Sequence, residues 1–218
     1  MSDVVTGIRH TLVIALLGAT AACGGGGGNE EPTYDDPLMY PANFTETAPE
    51  SFLATFETSN GTFAVQVHRD WAPVGADRFY NLARAGFYDD TRIFRAIDGF
   101  MAQMGIHGTP IVQAQWSNRF IDDDPVAGSN TRGMVTFAKT NQPNTRSTQF
   151  FINFADNTNL DELGFAPFGE VMEGLDVVDA INKEYGDTPN QNNIKAAGNE
   201  YLDGEFPNLT RLIRVTVE

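Results

Sequence analysis

Ile93-Phe94-Arg95-Ala96-Ile97-Asp98-Gly99-Phe100-Met101-Ala102-Gln103 resolves into two short strands, the first spanning Arg92 to Ile97 and the second Met101 to Gly105. Segments of the same kind surround it. Phe52 to Thr58 and Thr62 to His68 are rich in β-branched and aromatic residues and flank a Ser59-Asn60-Gly61 break that reads as a hairpin turn. Further strands are expected at Met134 to Lys139, Gln149 to Phe154, Pro167 to Met172 and Leu209 to Val217. A helix begins at Ala72-Pro73, with Pro at an early helical position, carries Phe79, Leu82 and Ala83 on one face and stops at Gly86. A second is expected over Leu175 to Glu184, where Leu175, Val178 and Ile181 recur at helical spacing. The fold class is therefore mainly β. Eight short strands and two helices in this order suggest a closed antiparallel β-barrel capped by the helices, since closure removes exposed sheet edges.

The chain of 218 residues is long enough for one domain with a sizeable core. Sixteen Phe against two Trp and six Tyr suit a barrel interior, where a phenyl ring needs no hydrogen-bond partner. A formal charge of −15, with only 14 Lys and Arg, argues against binding nucleic acid. Before the expected domain, Arg9 and His10 precede the apolar run Thr11 to Ala22, which ends in small residues directly before Cys23. That run is too short to span a bilayer, which takes about 20 apolar residues. A basic flank, a short apolar segment and small residues before Cys resemble the bacterial lipoprotein signal, although Thr20 stands where that motif prefers Leu. A plain secretory signal with an incidental Cys is the alternative. Residues 1–22 are thus read as a signal and Cys23 as the lipidation site. Residues 23–50, Gly-rich and acidic, are read as a flexible tether, and residues 51–218 as the folded domain. A place in the bacterial cell envelope follows, lipid-anchored, with the domain in the periplasm or outside the cell. Cys23 is the only cysteine, which excludes an intrachain disulfide. Three scattered histidines, among them His68 on a strand face and His107 in a loop, offer no metal-ligand set with it.

The opening run is similar to the catalytic strand pair of the cyclophilins, and Asn144-Thr145-Arg146-Ser147-Thr148-Gln149-Phe150-Phe151-Ile152 resembles that family's second signature. Phe120 to Asp124, Gly133 to Ala138, Leu160-Asp161 and Pro167 to Val171 follow in the family's order, so the resemblance covers roughly Phe52 to Val217. It implies a peptidyl-prolyl cis-trans isomerase that needs no cofactor and acts as a monomer on proline-containing segments of exported proteins. It also implies a site: Arg95 as the catalytic residue, Phe100, Met101, Phe151 and Leu160 around the proline ring, Phe165 at its edge and Ala138 lining the pocket. Gln103, two residues after Met101, and Gln149, two before Phe151, share faces with those residues. Either amide could instead satisfy a neighbouring strand.

The chemistry asks for little more. Rotation about an amide is resisted by about 18–20 kcal/mol because the nitrogen lone pair is shared with the carbonyl. Nothing covalent breaks, so the protein has only to bind the twisted amide better than either planar isomer. The fixed fork of charged donors on Arg95 suits that task; by residue type alone a strand-face ion-pair partner is the better reading, and the signature around it reverses that. Phe94 and Phe165 stand where the family often has His, and Asn159 where many members have the Trp that contacts cyclosporin, so the resemblance implies weak drug binding. A proline-peptide binding module or holdase without turnover remains a second reading, and a structural part of an envelope complex a third. The third would use the long loops 106–132 and 185–208 as contact surfaces.

Overall fold

Alternation along the first strand decides where the interior lies. In β1 (Ser51–Thr58) Phe52, Ala54 and Phe56 are buried on one face. β1 pairs antiparallel with β2 (Gly61–His68) in a register that sets Phe56 opposite Phe63, their rings stacked at 4.7 Å. The computed structural model describes residues 36–218. Residues 1–22, Cys23 and the tether up to residue 35, read above as signal, lipidation site and spacer, lie outside the described residues.

The remaining strands are β3 (Thr91–Arg92), β4 (Arg95–Ile97), β5 (Met101–Met104), β6 (Met134–Phe137), β7 (Phe150–Asn153), β8 (Pro167–Glu173) and β9 (Arg211–Val217). All pairings are antiparallel, in the order β3-β9-β1-β2-β8-β6-β7-β5-β4. The expected closed eight-stranded barrel is corrected to an open nine-stranded sheet, because no ladder joins β3 to β4. The expected strand from Arg92 to Ile97 is in fact two strands, broken at Ile93-Phe94. At the break the chain changes partner, from β9 opposite Arg92 to β5 opposite Arg95. Ile93 belongs to the main core, and Phe94 to a second apolar cluster with Ile106, Ile194, Leu202, Phe206 and Leu209. The ends of the sheet are thus joined by two residues of chain and not by hydrogen bonds.

The main core is built around Phe79 of α1 (Pro73–Arg84), whose ring touches those of Phe52, Phe56, Tyr88, Phe150 and Phe168. No side chain of α1 caps its start. Asp124 does so from a distant loop, accepting from Val74 N at 2.9 Å and Gly75 N at 2.8 Å. Burial pushes the Asp124 carboxyl above its usual pKa.

Four α-helices stand where two were expected. The long loops hide α2 (Pro110–Trp116) and α4 (Gln191–Glu205). The second expected helix is only α3 (Leu175–Asp179), because beyond Ala180 the chain turns to other partners: Asn182 N donates to Thr210 Oγ1 and Glu184 N to Asn182 Oδ1. α4 escaped notice because it breaks at Gly198, with φ 59° and ψ −141°. A Cβ there would lie 1.9 Å from Gly108 O, so only glycine lets α4 press against the 105–109 loop, and Asn199 N then donates to Gly108 O at 2.9 Å.

Residues 36–50, expected to belong to the tether, instead pack on the domain. Leu38 and Ala48 are buried, and Trp116 Nε1 donates to Leu38 O at 2.8 Å. Asn81 grips the Glu46 backbone at both groups, and Ala48 N donates to Asp77 Oδ1 at 2.8 Å. The folded part therefore begins by Asp36 and not near Ser51. Apolar Leu38, Phe44 and Ala48, spaced among acidic residues, were enough to order the segment.

Candidate active site

Three strands lay the floor of a cleft by register alone. β4 pairs with β5 so that Arg95 faces Gln103, and β5 pairs with β7 so that Gln103 faces Phe151. Arg95, Gln103 and Phe151 thus form one row across the sheet. Alternation sends their neighbours Ala96, Ala102 and Ile152 to the other side, into the main core. Phe150 and Phe151 divide in the same way: Phe150 is wholly buried in the main core, and Phe151 sits with Met101 and Leu160 in a separate apolar cluster.

The row is tied by side-chain hydrogen bonds. Arg95 Nη1 donates to Gln103 Oε1 at 3.2 Å, and Gln103 Nε2 donates to Gln149 Oε1 at 2.8 Å. Gln103 is 7 % exposed, so its amide is held with little freedom and fixes one edge of the Arg95 fork. The Gln149 amide N–H groups have no hydrogen-bond partner among the described residues and line the cleft.

Beside the row lies an apolar slot. Met101, Phe151 and Leu160 form its buried part, with Phe100, Ala138 and Phe165 half-exposed around it. Phe165 meets Phe151 edge to face, ring centres 5.8 Å apart. Row and slot open into one cleft of about 500 Å³, and all nine residues singled out in the sequence, Arg95 to Phe165, line it. Asn159 is exposed next to buried Leu160.

Several contributors were not singled out. Ser117, Asn118 and Phe120, just past α2, and Gln191 and Lys195 on α4 form part of the wall, so the segments taken for long loops shape the cleft. Lys139 and Thr140, given no role from sequence, line it as well, with Lys139 Nζ 5.1 Å from the Phe165 ring centre. Behind the slot lies a network of amides. Asn130, fully buried, donates to Asp161 Oδ1 at 2.7 Å and Phe165 O at 2.8 Å, and accepts from Thr136 Oγ1 at 2.8 Å. Asn157 Nδ2 donates to Phe100 O at 2.8 Å and to Asn153 Oδ1 at 2.8 Å. These amides fix the backbone that presents Phe100, Leu160 and Phe165. Burial raises the Asp161 carboxyl, but hydrogen bonds from Ser129 and Asn130 outweigh it and leave the pKa below the usual value. The only sequence signal for this network is the density of Asn between Asn153 and Asn159, which by itself reads as turn chemistry.

Among the described residues no His, Cys, Asp or Glu lines the cleft. Of the described histidines, His68 is on β2 against Trp71, and His107 is in a loop, accepting from Thr109 N, with burial holding its pKa below the usual value. One preorganised guanidinium, unengaged amide donors and an apolar slot are the groups that binding and polarising an amide without covalent chemistry would require.

Comparison with known proteins agrees with this geometry. Residues 53–199 match the family described as cyclophilin type peptidyl-prolyl cis-trans isomerase/CLD, and the chain belongs to that family. Peptidyl-prolyl cis-trans isomerase B of Escherichia coli is 34% identical over 136 residues, covering 59% of this chain and 83% of that protein. Peptidyl-prolyl cis-trans isomerase cyp18 of Streptomyces antibioticus is 37% identical over 132 residues, covering 57% and 79%. Among solved structures, a cyclophilin type isomerase of Cryptosporidium parvum superposes with TM-score 0.58 at 18% identity, covering 77% of this chain and 98% of that one. The same protein has been solved in the presence of the dipeptide Ala-Pro, with TM-score 0.57 to this chain at 19% identity.

Proposed function

We propose that this isomerase rotates X-Pro bonds in exported proteins, that Arg95 stabilises the twisted amide, and that a lipid on Cys23 holds the domain at the bacterial cell envelope. The observation that carries the catalytic part is the row Arg95, Gln103, Phe151 beside the Met101-Phe151-Leu160 slot. With a proline ring in the slot, its amide lies against the row, where the Arg95 fork serves the nitrogen as its lone pair localises. Gln103 occupies one Arg95 Nη1 donor and so orients the others. The Gln149 amide is placed to hold the substrate backbone. The lipid anchor and envelope location rest on the sequence around Cys23.

The decisive variant is Arg95→Ala. Loss of one preorganised donor costs about 2.7–4 kcal/mol, or a hundredfold to thousandfold in rate. The loss belongs in kcat, with peptide affinity changed little, because the interaction strengthens only in the transition state. Arg95→Lys rescues incompletely, since an ammonium lacks the planar fork. NMR exchange on a short proline peptide reads the rate, and circular dichroism checks folding. A folded Arg95→Ala protein with near-normal exchange refutes the role. For the anchor, Cys23→Ser should move the protein from the membrane to the soluble fraction of a bacterial host, and a wild-type chain that is already unlipidated there refutes it.

A further inference from the structure

The cleft gathers positive charge in a chain that is otherwise negative. Acidic side chains outnumber basic ones 29 to 14, yet Arg95, Lys139 and Lys195 line the cleft and no carboxylate does. The cations come from three separate places: β4, the stretch just after β6, and the first turns of α4. Two have partners within the cleft, Arg95 with Gln103 and Lys139 with the Phe165 ring. Lys195 has neither an ion pair nor a hydrogen bond among the described residues, although it is half-buried.

Nor is Lys195 loosely placed. Gln191 and Lys195 are four residues apart on one face of α4, and both line the cleft. Ile194 and Leu202, on the same helix, are buried in the second cluster with Phe94, the residue immediately before Arg95. The helix carrying Lys195 is thereby packed against the chain segment carrying Arg95. Screening decides which charges a bound peptide senses. At physiological ionic strength the Debye length is about 8 Å, so a bound peptide senses chiefly the charges close to it, and those that line the cleft are cations.

We propose that the cleft selects proline segments that carry an Asp or Glu within two residues of the proline, with Lys195 as the principal counter-charge and Lys139 as the second. The inference rests on the isomerase reading above and names its substrate class. The acidic side chain completes an ion pair for a half-buried ammonium that has none, and a basic side chain at the same place meets three like charges. Lys195 is a specificity residue here; rotation itself belongs to the row on the floor of the cleft.

The test uses peptides identical except for Glu, Gln or Lys, placed in turn at each of the two positions before and after one proline. Isomerisation is read by NMR exchange and affinity by chemical-shift titration. An exposed ion pair is worth about 0.2–1 kcal/mol, or up to about fivefold. At the best position kcat/KM is therefore expected to favour Glu over Gln by about threefold and Glu over Lys by about tenfold at low salt. The preference should shrink toward unity in 0.5 M salt, about a 4 Å screening length. Lys195→Glu should reverse the order, and Lys195→Gln, should the former fail to fold, should reduce it at least twofold. Rates equal within twofold for all three residues at every position overturn the inference, as does a preference untouched by Lys195→Gln. If no peptide is isomerised at all, the catalytic reading is what fails. The titrations then still decide this one: tighter binding of Glu than Lys peptides supports it, and equal binding overturns it.

Discussion

Replacing Asn130 by Ala removes a side chain that touches no substrate yet should damage both stability and the site. Asn130 is 0% exposed, and its amide makes four hydrogen bonds, to Asp161 Oδ1, Phe165 O, Thr136 Oγ1 and Asn153 Nδ2. The survivors can be worked out one by one. Asp161 keeps the Asn130 backbone N–H at 2.9 Å and the Ser129 hydroxyl, and Asn153 Nδ2 keeps Met134 O at 3.1 Å. The Thr136 hydroxyl and the Phe165 carbonyl have no other partner among the described residues. The buried Thr136 hydroxyl left unsatisfied costs about 1–3 kcal/mol and the part-buried Phe165 carbonyl less, and a water entering the vacated space recovers part of that. The expected loss is about 3 kcal/mol, a large share of a domain stability of about 5–15 kcal/mol. Urea unfolding measures it through the midpoint at unchanged slope. Since Phe165 O anchors the edge of the slot proposed for proline, KM for a proline peptide should rise more than kcat falls. A variant within 1 kcal/mol of wild type, or one with unaltered KM, refutes the claim that these amides hold the slot in shape (about 1 kcal/mol being the worth of one ordinary hydrogen bond).

Gly198→Ala should destabilise by about 3 kcal/mol or more, because the left-handed backbone costs 1–3 kcal/mol and the new Cβ meets Gly108 O; thermal unfolding of the variant tests this. Trp116→Phe deletes the bond to Leu38 O and should speed limited proteolysis of residues 36–48, at a cost of about 1 kcal/mol; unchanged proteolysis counts against that bond holding the segment. In acid, Asp90 and Asp161 set the trend. Burial raises Asp90, but Arg211 and Arg92 hold its pKa below the usual value, as hydrogen bonds do for Asp161. A depressed carboxylate contributes stability that is complete above its unfolded pKa of about 3.9 and is lost as pH falls through the lower folded value. Stability should therefore decline below about pH 4, and Asp161→Asn should flatten the decline. Asp124, with its raised pKa, works in the opposite sense and offsets part of the loss.

The parts of the molecule built on two-residue alternation were legible in the sequence. Phe52, Phe56, Phe63, Phe150 and Phe168 announced strand faces, and the strands appeared within a residue or two of their expected bounds. The nine residues singled out for the cleft came from the family resemblance; register and alternation account for Arg95, Met101, Gln103 and Phe151, while Phe100, Ala138, Gln149, Leu160 and Phe165 lie outside the β-strands. What stayed hidden depends on contacts between distant segments. The break at Ile93-Phe94 falls where the backbone leaves β9 for β5, two partners distant in sequence, and no local pattern marks that. α4 opens with Gln191-Asn192-Asn193 and is interrupted by Gly198, so neither propensity nor periodicity revealed it. The ordered segment 36–50 has an acidic composition typical of a tether, and its few apolar residues count only because α1 and α2 provide places for them. The buried amides behind the slot are invisible for a related reason: Asn in a loop reads as a turn until its partners are known.

The unlinked end of the sheet bears on how the protein behaves in company. β4 is an edge strand, and an edge with free backbone groups invites pairing with another chain. Here the Ala96 N–H donates to Gly186 O at 3.0 Å, so the start of the 185–208 segment masks part of the edge next to Arg95. An isomerase works on extended, incompletely folded chains, the very species most ready to add a strand. Shortening the 185–208 segment is therefore expected to bare this edge beside the cleft and to favour strand addition by another chain.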